Sequence, residues 1–315
     1  MNFAAMMLVA MAIDLAIGWP APLFRRIGHP VTWIGALIAR LDAGWNREGA
    51  HRRLRGLAAA GVVIGAAAGI GGLVQLFLPA NWIGILIGGV LAWPLVALRS
   101  MHDHVAAVAR PLLAADLAGA RQAVSMIVGR DPEQLDQAGV ARAALESLAE
   151  NSSDGIVAPL FWGTVAGLPG IAAYKAINTL DSMIGHRTPR HEAFGWASAR
   201  IDDVVNLIPA RLSGVLFGLA AGRGAGHALD VMERDARHHR SPNAGWPEAA
   251  LAGALGVRLS GPRIYGDRIA AEPWLNADAP DPLPQDLARG LALYRRAMAL
   301  GAVLILAVAF AIWRF

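Results

Sequence analysis

A chain of 315 residues that is 55% hydrophobic and only 17% charged, with a mean hydropathy of +0.42, is too apolar for an ordinary water-soluble domain and reads as an integral membrane protein. Its 28 basic residues exceed 24 acidic ones, for a net charge of +4, yet only Lys175 among them is a lysine and no basic run alternates with aromatics. Nucleic acid is therefore excluded as a partner and the arginines are assigned to cytoplasmic loops, while the absence of cysteine rules out disulfides, thiolate-bound metals and thiol nucleophiles.

Residues 1–18 lack the basic start and small-residue cleavage site of a signal peptide, so they are expected to remain as a span with Asp14 near one end. The stretch 56–78 is uncharged and long enough to cross a bilayer. After only Pro79-Ala80-Asn81 a second apolar stretch, 82–98, follows, which predicts a helical hairpin. Gly61, Gly65 and Gly69, with Gly84 and Gly88, make small-residue stripes suited to close helix packing. The run 156–173 is interrupted by Pro159, Gly163, Gly167, Pro169 and Gly170, and the run 204–222 carries Asn206, Pro209 and Arg211. Both are expected to be re-entrant, interfacial or buried in protein, because broken or charged apolar segments usually line a cavity or fail to span. The stretch 297–313 completes the set, with Arg295 and Arg296 placed to snorkel at its start.

Residues 19–55 carry seven arginines and residues 99–155 carry five. Both loops are thereby assigned to the cytoplasm and the N-terminus to the outside. The expected fold is an all-α, polytopic integral membrane protein with about four full spans, broken or re-entrant apolar segments and a large cytoplasmic helical region. It divides into an N-terminal membrane region (1–98, with the basic loop 19–55), a cytoplasmic or interfacial catalytic region (99–296) and a C-terminal transmembrane helix (297–315).

Three polar constellations stand out. Glu146, Glu150 and Asp154 are spaced i, i+4, i+8 at the edge of an apolar run, so a regular helix puts all three carboxylates on one face able to hold a hard divalent cation. The bland alternative is a solvated helix turn followed by an Asn-Ser-Ser-Asp-Gly turn. Next, Lys175, Asn178 and Ser182 share a helix face, with Asp181 beside Asn178. Capping and surface pairing are the ordinary explanation of such spacing, but a lone lysine among apolar neighbours is harder to dismiss. In the block Arg200-Ile-Asp202-Asp203 the two adjacent aspartates diverge on a helix, so one can join a site while the other pairs with Arg200 or Arg211. The segment 233–248 packs charges among turn residues. Ser241 or Asn243 is suited to cap a helix near Pro247 with Glu248 in its first turn, and His238 and His239 read as a solvated loop. No P-loop, dinucleotide fingerprint, Gly-x-Ser-x-Gly or His-Glu-x-x-His is present.

Taken together, Glu-Ser-Leu-Ala-Glu-Asn-Ser-Ser-Asp-Gly-Ile-Val-Ala-Pro-Leu-Phe from Glu146, Asn-Thr-Leu-Asp-Ser-Met-Ile-Gly from Asn178, Phe-Gly-Trp-Ala-Ser-Ala-Arg-Ile-Asp-Asp from Phe194 and Ser-Pro-Asn-Ala-Gly-Trp-Pro-Glu from Ser241 resemble the adenosylcobinamide-phosphate synthase (cobinamide synthase) family of cobalamin biosynthesis. Asp14-Leu-Ala-Ile-Gly-Trp-Pro and Gly28-His29-Pro30-Val fit its N-terminal pattern, and the resemblance runs from about residue 10 to residue 266. It implies an enzyme of the bacterial inner membrane, with its catalytic region facing the cytoplasm. The implied reaction joins a propionate of adenosylcobyric acid to (R)-1-amino-2-propanol or its O-phosphate, with ATP as co-substrate and Mg²⁺ as cofactor. The corrinoid is substrate, not cofactor, and the implied partners are these small molecules, the lipid bilayer and other late cobalamin-pathway membrane enzymes. Because a carboxylate must be activated before an amine attacks it, residue chemistry suggests roles. Glu146, Glu150, Asp154 and Asp202 are assigned to metal, and Asp181 (base) and Lys175 to catalysis. Asn151, Asn178, Arg200, Arg211 and Asn243 are assigned to substrate or ATP. Two rivals are weaker. An ion-coupled transporter would share the broken helices, but no repeated half is visible. A CDP-alcohol phosphotransferase would need Asp-x-x-Asp-Gly-x-x-Ala-Arg, whereas Asp154-Gly155 is followed by Ile-Val-Ala-Pro.

Overall fold

A computed structural model describes residues 1–128, 132–265, 268–270 and 272–314. In chain order the helices are α1 (Phe3–Ile17), α2 (Ala21–Ile27), α3 (Pro30–Trp45), α4 (Arg52–Leu76), α5 (Trp82–Ala92), α6 (Leu98–Leu113), α7 (Leu117–Val124), α8 (Gln137–Ser152), α9 (Ala158–Leu180), α10 (Trp196–Val205), α11 (Leu207–Ala220), α12 (Ala225–Asp235), α13 (Gly245–Leu255) and α14 (Pro284–Arg314). Two short antiparallel pairs are the strand content of the described residues: β1 (Leu259–Ser260) with β4 (Trp274–Leu275), and β2 (Arg263–Tyr265) with β3 (Arg268–Ala270). The chain forms two compact units: Met1–Leu98, Ala158–Asn206 and Leu304–Phe315 make the first, Arg99–Val157 and Leu207–Val303 the second.

In the first unit α4 packs along α9, and α3 and α10 pack on α4. The shared core consists of Ile38, Ala59, Ala60, Val63, Ala176, Leu180, Ile184 and Phe194. Alanines of α4 and α9 take part in this core, but the expected glycine stripe holds only in part: Gly61, Gly65 and Gly69 are exposed and a Cβ on any of them would meet nothing within 4 Å, whereas one on Gly84 or Gly88 of α5 would fall 1.9 Å from the Pro79 carbonyl oxygen or 2.3 Å from Met6 Sδ. The starts of α5 and α3 are locally specified. The Asn81 side chain accepts from the Ile83 and Gly84 amides at 2.9 and 3.3 Å, opening α5, and His29 Nδ1 accepts from Val31 N–H at 3.2 Å, opening α3 ahead of Pro30. The break foreseen in 156–173 sits at Gly167, where φ is +68° and the helix is interrupted. Leu168 N–H, freed by the break, donates to Gln75 Oε1 at 2.8 Å, so this backbone donor is not left bare in an apolar setting.

Four runs are long and apolar enough to cross a membrane, Arg52–Leu76, Trp82–Leu113, Gln137–Gly185 and Pro284–Arg314, or up to six if two bent helix pairs are each one span. The lower figure equals the expected number of spans, and the membership differs. Residues 1–18 contain a helix of only 15 residues, ended by Gly18-Trp19-Pro20, which reaches span length only with Ala21–Trp45 across a 112° bend. In contrast, 156–173 falls inside a qualifying run, because helix resumes directly after Gly167. The C-terminal helix is 31 residues long, well beyond 297–313.

In the second unit α13 packs against α11, α12 and α8, around Val231, Ala236, Ala249 and Leu275. Here long-range polar ties supplement the core. The guanidiniums of Arg142 and Arg258 lie 4.6 and 4.3 Å from the Trp274 ring centre, and both pair with Asp281.

Candidate functional site

Lys175, Asn178 and Ser182 do share a face of α9. With Thr179 of the same helix and Thr32 of α3 they supply the polar lining of a cavity of about 370 Å³, to which Val31, Gly35 and Met183 add apolar surface. Lys175 is buried, with 8% exposure, and its charge reaches His29. The His29 ring is held on several sides. It caps α3, bonds the Pro94 backbone carbonyl and meets Trp19 edge-on at 5.0 Å, while Trp19 packs on Trp93 at 5.2 Å. The Gly28-His29-Pro30 and Gly18-Trp19-Pro20 segments thus build one wall beside the lysine. His29, Thr32 and Thr179 were not among the expected site residues. Pro30 at the first helical position signalled the cap, but nothing in the sequence signals a neighbour 146 positions along the chain.

Immediately past this face α9 gives way to a π-helix, Asp181–Gly185. Such bulges reorient side chains and recur at functional sites. Asp181 is half-buried and feels His186 and Asp203 electrostatically. A Cβ on Gly185 would fall 2.0 Å from Asp181 Oδ1, so only glycine lets this carboxylate fold back over the turn. The divergence of the adjacent aspartates is as expected. Asp203 pairs with Arg200 at 3.1 Å on the exposed side, whereas Asp202 is buried and accepts from Asn206 Nδ2 at 3.0 Å. Asn206 Oδ1 in turn accepts from the Tyr174 hydroxyl at 2.9 Å.

The other expected residues lie in the second unit. Glu146, Glu150 and Asp154 do not share one environment. Glu146 is buried and its Oε1 accepts from Ser260 N–H at 2.8 Å. Glu150 is exposed, and Asp154 lies beyond the end of α8 in a second π-helix, Ser153–Val157. That bulge breaks the 3.6-residue register on which the i, i+4, i+8 face depended. Among the described residues no three His, Asp or Glu side chains converge on a metal position. Asn151 Nδ2 donates to Ser147 O at 3.0 Å. Arg211 donates to Leu207 O at 2.7 Å and stacks on Trp246 at 4.3 Å, and Asn243 is buried. Glu248 lies in the first turn of α13 as expected, but neither Ser241 nor Asn243 caps that helix: its N-cap is Ala244, which carries no side-chain cap, and the Ser241 hydroxyl oxygen instead accepts from Ala244 N–H at 3.2 Å in the preceding turn. His239 corrects the solvated-loop expectation: its side chain is 4% exposed and faces Glu248 Oε2 at 3.7 Å, its Nδ1 accepting from Ser241 N–H. The turn folds inward under α13, which a local reading of a charged segment cannot reveal.

A family model described as CobD/Cbib protein matches residues 7–294. The chain is 75% identical over 313 residues, 99% of both chains, to a cobalamin biosynthesis protein CobD of Rhodobacter capsulatus. It is 47% identical over 311 residues, 96% of both chains, to a protein of the same name from a Sinorhizobium species. A Brucella suis protein so named is 47% identical over 309 residues, 95% of this chain and 94% of the relative. No solved structure matches the chain.

Proposed function

The chain belongs to the CobD/Cbib protein family, and from that premise we propose that it is a membrane enzyme of cobalamin biosynthesis that forms an amide bond. The acid is a propionate of adenosylcobyric acid, and the amine is (R)-1-amino-2-propanol or its O-phosphate. The end-to-end likeness to relatives named for cobalamin biosynthesis carries this reading.

Chemically, a propionate oxygen attacks the γ-phosphorus of ATP and ADP leaves, giving an acyl phosphate. The ammonium form of the amine gives a proton to Asp181, and its nitrogen then attacks the acyl carbon. Phosphate departs with the C–O electrons and takes up the remaining N–H proton. Lys175, Arg200 and Arg211 supply positive charge to oxygen-rich groups, and Asn151, Asn178 and Asn243 supply amide contacts. Mg²⁺ usually binds one or two carboxylates and takes its other ligands from phosphates and water. Exposed Glu150 and half-exposed Asp154 are the acids of this stretch open to such sparse ligation, which needs no third protein carboxylate. Glu146 Oε1 is engaged by Ser260 N–H, and Asp202 by Asn206. When bound, the ion neutralises phosphate charge as it develops.

The test is direct. Detergent-purified protein given adenosylcobyric acid, Mg-ATP and each amine should release ADP and the amide, followed by mass spectrometry. Folded protein inactive with both amines, alone and in native-host membranes, would refute the assignment. Because ATP is cytoplasmic, we also place the catalytic face there, in the bacterial inner membrane. Reporter fusions after Arg47, His186 and Ser260 should read cytoplasm and one at Asn81 the outside. An external reading at His186 would overturn that orientation.

A further inference from the structure

The cavity between α3 and α9 is polar in an unusual sense. Thr179 Oγ1 donates its hydrogen to Lys175 O at 2.7 Å, Ser182 Oγ to Asn178 O at 2.8 Å and Thr32 Oγ1 to His29 O at 2.7 Å. A hydroxyl has one hydrogen and two lone pairs. With all three hydrogens committed to backbone carbonyls, what these hydroxyls offer a ligand is lone pairs, two each on Thr179 and Ser182 and one on Thr32, whose oxygen also accepts from His29 N–H at 3.2 Å. The cavity thus combines three acceptor oxygens with the Lys175 ammonium and the two-faced Asn178 amide, and none of its lining residues is acidic.

This composition discriminates among ligands. A carboxylate or phosphate has acceptors alone, so its oxygens would face the hydroxyl lone pairs unless three hydrogen bonds were broken. A ligand ammonium would meet the lysine charge. A primary carboxamide suits both halves, its carbonyl oxygen taking a hydrogen from Lys175 or Asn178 and its NH₂ giving two to the hydroxyl oxygens. We propose that the Thr32, Lys175, Asn178, Thr179 and Ser182 cavity is a carboxamide-binding subsite that grips an amidated side chain at the rim of the corrinoid substrate. The inference rests on the corrinoid reading of the preceding subsection. It gives Lys175 a carbonyl oxygen, rather than an anion, as its ligand, and assigns the site a selectivity: amidated corrinoids are held, and those with free acids at the same rim positions are not.

The test uses full-length protein in detergent and two corrinoid probes, one with amidated peripheral side chains and one with the corresponding free carboxylic acids. Affinity is read from the visible absorbance of bound corrinoid after equilibrium dialysis. Wild type should prefer the amidated probe by tenfold or more. Thr179→Val and Ser182→Ala remove an acceptor at nearly constant shape and should together erase most of that preference by weakening the amidated probe alone. Thermal melting checks that both variants fold, and Ser182→Ala, at a more exposed position, serves if Thr179→Val does not. Equal binding of the two probes by wild type, or variants that shift the KM for the amine and leave corrinoid binding intact, would overturn the subsite while leaving the amide-forming reading in place. Wild type that binds neither corrinoid would overturn both.

Discussion

The polar side chains at the cavity face of α9 and those around α13 are tied in different ways. At the cavity face of α9 the ties are local: Thr179 and Ser182 bond carbonyls of their own helix, Thr32 bonds the preceding cap and Asp181 folds against Gly185, while long-range bonds of α9, those of Leu168 and Tyr174 among them, are made elsewhere along it. Around α13 they are long-range. Ser260 N–H donates to Glu146, Asn276 N–H to Asp235, and Arg142 and Arg258 both reach Asp281. Local ties leave side chains disposable as far as folding goes, because the helix keeps its own hydrogen bonds without them. Long-range ties make the side chains part of the tertiary scaffold, where removing one partner strands another. Substitutions in the first region should therefore change chemistry, and in the second stability.

Asp181→Asn tests the first half most severely. If this carboxylate is the base for the amine, turnover should fall a hundredfold or more, the usual scale for general-base loss. The melting temperature should stay within the scatter expected of a half-buried, locally tied residue. Steady-state rates and a thermal melt on the same preparation decide it. A variant with wild-type turnover would remove Asp181 from the mechanism, and one that unfolds would erase the contrast between the regions.

The acidic stretch of α8 sharpens the comparison, because expected metal ligands there sit in the scaffold region. Glu150→Gln and Asp154→Asn should raise the Mg²⁺ needed for half-maximal rate by about tenfold, since hard cations depend on ligand charge, with melting unchanged. Glu146→Gln should keep an acceptor for Ser260 N–H and so remain folded, whereas Glu146→Ala should lose about 1–3 kcal/mol by stranding that donor. Unaltered Mg²⁺ dependence in Glu150→Gln and Asp154→Asn would move the cation elsewhere, with Asp202 the next carboxylate to test.

The same distinction explains what the sequence could disclose. The face shared by Lys175, Asn178 and Ser182 was legible because it follows from helical period alone, and the weakness at Gly167-Leu168-Pro169 from residue chemistry. The pairing of Asp203 with Arg200 needed only three-residue spacing. The Glu146, Glu150, Asp154 face was misplaced because a π-helix entered the register at Ser153, and no local rule announces such a bulge. His239 was misread because its burial depends on Glu248, on a helix that had not yet begun. His29 escaped notice for the same reason, since its proximity to Lys175 is set by how α3 packs, not by its own neighbours.

The smallest effect is the most specific to the scaffold region. Hydrogen bonds from Arg258, reinforced by Arg142 and opposed by burial, hold the Asp281 carboxyl below its ordinary value of 3.8. At Asp235 burial pushes upward, but the Arg234 guanidinium and the Asn276 amide outweigh it and the carboxyl again ends below 3.8. A group whose folded-state pKa is depressed contributes stability that is complete above its unfolded value and disappears as pH falls through the folded one. Asp281→Asn removes the charge that both arginines share. With the Asp281 side chain 35% exposed, the loss at pH 7 should be only about 1 kcal/mol after solvent screening. The stability gap between wild type and variant should be constant from pH 7 to 5 and close below pH 4, as wild type protonates and comes to resemble its own amide. Unfolding in detergent at pH 7, 5, 4 and 3, followed by tryptophan fluorescence, measures it. Asp235, intact in both proteins, cancels from the difference. A gap that persists undiminished to pH 3 would mean that Asp281 holds the two arginines by shape and not by charge, and the long-range tie would have to be credited to their stacking on Trp274.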